Sequence, residues 1–434
     1  MKKLVMFLVV LAMVLVPFAG CAPQAQEETP AATEAPAAEE PAAEEPAAEE
    51  PVAEDAVKIG VILVHDENSG YDAAHINGIK EAAAANGIAE DQIVWKYNIA
   101  EDETTYDTAT DLVEQGCTYI FSDSYSHQSY MQQAASENPD VTFVSMTGDG
   151  AALSGLPNFK NAFNYTFESR YVSGVVAGMK LAELVADGKV ADKNKDANGN
   201  IKIGYVGAFP YAEVVSGYTG FYLGVKSIVD NVVMDVQYTN SWYDPTAEAE
   251  AANALVSGGD IILGQHADST GAPAACQALL DGGTTVYSVG YNIDMLSVAP
   301  TAALTSAQNN WSVYYTYALG CIVNGEEIAT DWAKGFNEGA VMISALGESC
   351  AEGTAEKVAE VEAALKDGSL NVFDTSKFTV GGQTVTSAMA IDTDGDFVPD
   401  SEEAISDGVF HESTIRSAPY FGLRIDGITE LNAQ

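Results

Sequence analysis

The sequence predicts an α/β protein of two doubly wound parallel-sheet lobes joined by a hinge. Three observations carry this. Short apolar runs alternate with Ala-rich stretches of helical period. The alternation halts near mid-chain and restarts with the same rhythm. Residues 57–434 are also long enough for two domains of ordinary size.

Residues 57–64 (VKIGVILV) read as a buried strand and 78–86 as the helix after it. Then come a strand at 93–97, a helix around 108–115, a strand at 119–121, a helix around 130–136 and a strand at 141–145. The rhythm breaks between 158 and 165. A long helix from about 168 to 184 follows, then a polar loop over 191–200. The second series is a strand at 201–207, a helix around 216–228, a strand at 232–238, a helix around 246–256, a strand at 261–263, a helix around 272–280 and a strand at 286–290. One more strand at 302–306 leads into a helix from 311 to 323. The expected division is lobe 1 from 57–164 plus about 300–340, and lobe 2 from 165–299 plus about 341–434. This layout resembles the hinged architecture of type I periplasmic binding proteins. Ligands in such sheets sit at the carboxyl ends of the strands, between the halves.

The N-terminus predicts an address. Lys2 and Lys3 precede an uncharged apolar run, and Phe18-Ala19-Gly20 leads into Cys21. This reads as a lipoprotein signal over 1–20, cleaved before Cys21, with diacylglycerol on its sulfur. The run is shorter than the roughly 20 apolar residues of a spanning helix and is broken by Pro17. Residues 21–56 are then a lipidated cysteine and an Ala/Pro/Glu tether, with Ala-Ala-Glu-Glu-Pro recurring between 37 and 51. Such a segment buries too little apolar surface to fold and is held extended by its carboxylates.

Formal net charge is −44. With the tether acids and the two N-terminal lysines set aside, 52 acids still face 17 basic residues. That excludes nucleic acid or an anionic membrane surface as a partner held by charge. Beyond Cys21 the cysteines are Cys117, Cys276, Cys321 and Cys350. No CxxC spacing is present, so zinc is not indicated, and Cys321 with Cys350 is the pair to suspect of a disulfide.

The strand ends carry specific residues. They include Gly70-Tyr71 with His75, Ser122-Asp123-Ser124-Tyr125, Glu168-Ser169-Arg170-Tyr171 and Gly204-Tyr205-Val206-Gly207 with Glu213. Further along are Trp242-Tyr243-Asp244-Pro245, Gln265-His266-Ala267-Asp268-Ser269 and Asp294-Met295. In this order the set resembles the basic membrane protein family of ABC-transporter substrate-binding lipoproteins, which contains purine nucleoside receptors. The resemblance implies no enzymatic activity, a purine nucleobase or nucleoside as ligand, an ABC permease as partner, and a monomer lipid-anchored on the outer face of the cell membrane. The nucleoside-binding branch has Asp-x-Asp before the return crossover and a Lys after the next strand. Here stand Asn292-Ile293-Asp294 and Gln308-Asn309-Asn310. The chain is more similar to the branch that takes a free base, and both ligands stay open.

A purine needs aromatic plates for its faces and polar groups for its rim. Tyr71, Tyr125 and Trp242 follow strands, in positions suited to stacking. His266 and Asp268 leave the strand at 261–263, where chain meets ligand, and neutral His266 can donate and accept at once. Glu213, Asn292 and Asp294 complete the expected rim. The alternatives are an exported nucleoside hydrolase and a sugar-binding or sensory module. The chain contains no nucleophile elbow or phosphate loop to favour the hydrolase.

A separate constellation spans 392–403. Asp392, Asp394, Asp396, Asp400 and Glu403, with the Val398 carbonyl, fall at the oxygen positions of an EF-hand-type loop, so Ca²⁺ is the expected cation. Phe397 occupies the place where that loop turns on Gly.

Overall fold

Two mainly parallel sheets, alike in strand order except for one added edge strand in the second, build the computed structural model, which describes residues 57–393 and 398–433. Cys21 and the tether lie outside the described residues. Among the described residues, no helix is long and apolar enough to cross a membrane.

The first sheet contains β1 (Ile59–Ile62), β2 (Ile93–Lys96), β3 (Tyr119–Ser122), β4 (Thr142–Met146) and β5 (Phe159–Asn164). Helices α1 (Gly70–Asn86), α2 (Glu103–Glu114), α3 (Gln128–Glu137) and the short α4 (Ala151–Ser154) connect them. The second sheet follows α5 (Thr166–Ala186) and contains β6 (Ile201–Gly207), β7 (Val232–Tyr238), β8 (Ile262–His266), β9 (Tyr287–Tyr291) and β10 (Ala303–Asn309). Its connections are α6 (Ala212–Lys226), α7 (Pro245–Gly258) and α8 (Gly271–Asp281). Helix α9 (Trp311–Asn324) then returns to pack on α1. Strand β11 (Asp331–Lys334) joins the first sheet beside β5, and β12 (Val341–Ile343) joins the second, antiparallel to β10.

The orders are β11-β5-β4-β3-β1-β2 and β12-β10-β9-β8-β6-β7-β17, where β17 is Ile428–Glu430. Each sheet reverses its winding between its first and third strands, β1/β3 and β6/β8. A crevice opens at such a switch point. Both faces of each sheet carry an apolar core, which is why β1, β5 and β8 are buried along their whole length. Helices α5 and α6 cross closely because Gly174 and Gly224 let them. A Cβ on either would collide with the carbonyl oxygen of Phe221 or Tyr171.

Sequence periodicity and structure part at several places. The segment 158–165 is a fully buried strand, β5, rather than a break; its Lys160 and two asparagines obscure the apolar pattern. Helix α1 begins eight residues earlier than expected, because Ser69 caps it by accepting from Asp72 N at 3.4 Å. Strand β10, expected in the first lobe, pairs in the second sheet, so the return crossing falls at Asn309-Asn310 and not near 300. The four cysteines among the described residues are free. Cys321 packs in the first sheet's core and Cys350 against the second's, which places the suspected pair in different lobes.

The tail belongs with the second sheet. Helix α10 (Thr354–Lys366) and Phe373, Phe378, Phe410 and Phe421 enter its core. Two hairpins follow, β13 (Met389–Ile391) with β14 (Ser401–Glu403) and β15 (Ile405–Ser406) with β16 (Val409–Phe410). Strand β17 then pairs parallel to β7.

Three covalent crossings join the lobes: β5 to α5, β10 to α9, and β11 to β12. Their core is polar. Asn309 Oδ1 accepts from Asn164 Nδ2 at 3.2 Å and from Thr166 Oγ1 at 2.9 Å, and Asn309 Nδ2 donates to Tyr291 Oη at 3.2 Å. The same amides therefore tie the crossings to the end of β9.

Candidate functional site

The carboxyl ends of both sheets meet in one cleft. On the first-lobe side the chain leaves β1 at Val64, β3 at Asp123-Ser124 and β4 at Thr147, which has a φ of 61°. Asp123 Oδ1 accepts from Val64 N at 3.0 Å, and Tyr71 Oη donates to the Asp123 carbonyl at 2.7 Å. Asp123 Oδ2 is buried, and the carboxyl's side-chain neighbour is the Asp72 carboxyl. Burial and the neighbouring Asp72 charge push Asp123 well above the usual carboxylate range. For Asp72, burial acts upward but is outweighed by hydrogen bonds from His65, Ser69 and Asp123, which hold it low. Asp72 thus carries the charge of the pair and Asp123 the proton. Tyr125 turns its hydroxyl to Asp149 Oδ2 at 3.1 Å.

The second-lobe side comes from β6, β8 and β9. Glu213 sits in the first turn of α6, and its Oε1 lies 3.3 Å from His266 Nε2 at the end of β8. Asp268 N donates to Trp242 O at 2.8 Å, which fixes the tryptophan loop to the β8 end. Asp268 Oδ1 accepts from Asn292 Nδ2 at 3.0 Å. His266 packs edge-on to Tyr291, with ring centroids 4.8 Å apart. Behind Tyr291 lies Arg170 of α5, 2 % exposed, its guanidinium 3.6 Å from the ring centroid. Arg170 Nη1 donates to Gln265 O at 2.6 Å, while Nε and Nη2 are buried with no hydrogen-bond partner among the described residues.

Burial sets the protonation of this side. It pushes Glu213 up to about 7, against the pull of Arg170. It holds His266 well below the usual imidazole value, with Arg170 adding to the effect. It raises Asp268 well above the carboxylate range, helped by Asp72, Glu248 and Glu213. Burial on this wall therefore favours the neutral imidazole of His266 and the protonated forms of Asp268 and Glu213.

The walls are drawn together. Gly70 N of the first lobe donates to Asp268 O of the second at 3.1 Å, and His65 and Tyr243 pack across at 5.6 Å. The gap between them holds about 20 Å³, water-sized, so a flat heterocycle enters only as the lobes part.

Tyr71, Tyr125, Glu213, Trp242, His266 and Asp268 all line this gap. Asn292 stands behind Asp268 and reaches the cleft only through it. Asp294 falls outside. It is exposed, its Oδ1 accepts from Leu296 N at 2.8 Å, and it borders a separate polar groove of about 230 Å³ with Asn77, Glu81 and Gln308. Sequence reasoning missed Val64, Asp123, Thr147 and Tyr291 as lining residues, and Arg170 behind them. The rule that singled out His266, a polar residue just past a strand, also fits Asp123 and Thr147.

The acidic loop has a different setting from an EF-hand. It joins the hairpin strands β13 and β14 rather than two helices. Asp394 and Asp396 lie outside the described residues. Asp400 accepts from Thr393 N at 3.2 Å, and Glu403 accepts from Ala388 N, Ile405 N and Ser387 Oγ. Among the described residues, no group of three or more His, Cys, Asp or Glu is placed to hold a metal ion; Asp392 and Val398 have interactions of their own.

Known proteins match both the sequence and the fold. A purine-binding protein of Brucella abortus is 30% identical over 319 residues, covering 73% of this chain and 83% of that protein. A provisional ABC transporter glucose-binding protein of Haloferax volcanii is 29% identical over 259 residues, 60% of each chain. An ABC transporter nucleoside-binding protein of Lactococcus lactis is 29% identical over 178 residues, covering 40% of this chain and 43% of that one. Among solved structures, an ABC-transporter solute-binding protein of Aeropyrum pernix superimposes with a TM-score of 0.58 at 15% identity, covering 72% of this chain and 92% of that one. One from Conexibacter woesei gives 0.56 at 19%, covering 73% and 98%. These structural likenesses establish the solute-binding-protein fold. The family model described as ABC transporter substrate-binding protein PnrA-like matches residues 56–369, and the chain belongs to that family: it is the extracytoplasmic substrate-binding component of an ABC transporter, not an enzyme, and works with a ligand and a membrane permease.

Proposed function

We propose that the chain is a purine receptor, selective for a free base, held at the outer membrane face by lipid on Cys21. The observation that carries the ligand reading is the pairing in one gap of aromatic rings (Tyr71, Tyr125, Trp242) with buried or part-buried rim groups (Asp123, Glu213, His266, Asp268). Rings supply stacking of about 1–3 kcal/mol per base. The rim groups supply acceptors and donors for ring nitrogens and an exocyclic amine. A base is favoured over a nucleoside because Asp294, the acid nearest to a ribose-binding position in sequence, lies outside the cleft. The relatives named for purine and nucleoside binding support the same class.

A sugar is the second reading. It is motivated by the relative named for glucose, and by aromatic-plus-acid clefts suiting sugars as well. Titration calorimetry with adenine, guanine, hypoxanthine, adenosine and glucose separates them. Tight adenine or hypoxanthine binding with no glucose signal supports the proposal, and glucose binding alone defeats it. Mass spectrometry of the membrane-bound form tests the anchor, with a diacylglyceryl mass on the Cys21 peptide expected. Calcium at 392–403 is proposed separately; an unchanged Tm on adding a chelator removes it.

A further inference from the structure

The family-matched region ends at residue 369, yet the chain continues through a folded tail that touches both lobes. Its base is apolar. Phe373 stacks on Phe421 at 4.2 Å, Phe410 meets Phe421 edge-on at 4.8 Å, and all three sit in the second sheet's core. From this base one loop is pinched shut by a single buried carboxylate. Glu412, 2 % exposed, accepts from Ser413 N at 3.1 Å and Tyr420 N at 2.7 Å on one oxygen, and from Phe421 N at 2.8 Å on the other.

The loop's tip belongs to the other lobe. Arg416 Nη1 pairs with Asp149 Oδ2 at 2.9 Å, and Ser417 N donates to Asp331 Oδ2 at 2.9 Å. Asp149 follows β4 and Asp331 opens β11, both of the first sheet. The Arg416 and Asp149 side chains are only 12% and 22% exposed, so solvent screens the pair less than a surface ion pair. Asp149 also accepts from Gln128 Nε2 at 2.9 Å and, on the oxygen that takes Arg416, from Tyr125 Oη at 3.1 Å. Tyr125 lines the ligand cleft. An unbroken run of contacts therefore joins the second lobe's tail to an aromatic wall on the first lobe.

We propose that residues 411–421 form a clasp, in which Arg416, acting through Asp149, positions Tyr125 and holds the lobes closed. The part concerning ligand rests on the cleft being the binding site; the part concerning closure does not. The three covalent crossings let the lobes rotate, and the clasp, like the Gly70–Asp268 and His65–Tyr243 contacts, is a non-covalent link that breaks and remakes as they do. Arg416 and Asp149 do not touch ligand, so they are positioning residues.

The test is hydrogen–deuterium exchange on the ligand-free full-length chain, followed by stopped-flow release of adenine read by tryptophan fluorescence. In Arg416→Ala, backbone exchange over 123–128 and at Ser417 is expected to rise several-fold, with exchange in the second-sheet core unchanged. Adenine release should quicken roughly tenfold, as expected for loss of a charge-assisted bond. Arg416→Lys should restore most of both, and Asp149→Asn should add little when combined with Arg416→Ala. Unchanged exchange over 123–128 in folded Arg416→Ala protein overturns the clasp. Raised exchange with unaltered adenine release overturns the positioning of Tyr125. Raised exchange in a protein that binds no purine leaves the clasp standing and defeats the purine reading alone.

Discussion

The first-lobe wall of the cleft is held by its backbone. Val64 N fixes Asp123, Tyr71 is tied to the Asp123 carbonyl, and the charge rests on Asp72 one layer back. The second-lobe wall is arranged around one buried cation. Tyr291 lies on Arg170, and Glu213, His266 and Asp268 all feel that charge. The two sheets share a strand order, so topology does not explain the difference. It comes from the crossing helices: α5 carries Arg170 behind β9, whereas α9, which packs on α1 as α5 packs on α6, brings Trp311 and no cation to the first lobe. The first wall should respond to mutation through shape and the second through charge.

The largest break in this contrast is Arg170→Ala. It removes a cation–π contact and the donor to Gln265 O from a fully buried position. A loss of about 2–4 kcal/mol in unfolding free energy is expected, with weakened ligand binding as Tyr291 shifts. Urea denaturation measures it. A loss below about 1 kcal/mol would mean the second wall stands without its cation.

Next is Trp242→Ala. The indole packs edge-on against Phe209 at 5.2 Å and is only partly buried, so the fold should tolerate its removal. Affinity should fall about 10- to 100-fold, the loss of one stacking plate. Tyr71→Phe on the first wall should do less, since it keeps the ring and loses only the bond to the Asp123 carbonyl. Calorimetric titration ranks the three proteins, and equal losses would remove stacking as the second wall's contribution.

The strand–helix rhythm was legible because parallel strands buried on both faces write themselves as apolar runs. Phe159–Asn164 was not, since Lys160 reaches out to Glu327 at 2.8 Å, Asn161 bonds Ala151 N and Ser145 O, and Asn164 serves the crossings, features a period count does not register. Within the cleft, residues just past strand ends could be named from sequence. Arg170 could not be assigned there, because it sits in the second turn of α5 and comes to Tyr291 through the close packing of that helix on the second sheet. The Asn292-Ile293-Asp294 turn misled for a local reason. Asn292 adopts a φ of 60°, so the chain turns there, and the acid two residues on lies outside the gap.

Charge on the second wall also predicts a pH signature. Burial raises Glu213 from 4.5 to about 7, so its folded pKa exceeds its unfolded one. Its contribution to stability is complete below about 4.5 and is lost as pH rises through about 7. Glu168 at the crossings and Glu248 beneath Ser269 are raised to the same value, so the wild-type slope is shared. Glu213→Gln isolates one share. Its Tm relative to wild type should climb by a few degrees between about pH 5 and pH 8. A gap that stays flat would show Glu213 to be ionised with ease and the wall wetter than its burial implies.

The smallest expected effect is Asp294→Ala, and it decides between base and nucleoside. Asp294 supports one backbone N–H, of Leu296, from an exposed turn. Its removal should lower stability by about 0.5 kcal/mol and leave base affinity within twofold. Asn292→Ala, two residues earlier, strips Asp268 of the Asn292 Nδ2 donor and should weaken binding several-fold. If Asp294→Ala instead abolishes binding of a nucleoside while sparing the base, Asp294 must reach the ligand. Opening of the lobes would then have to carry the turn after β9 into the cleft, and the selectivity for a free base would fall with it.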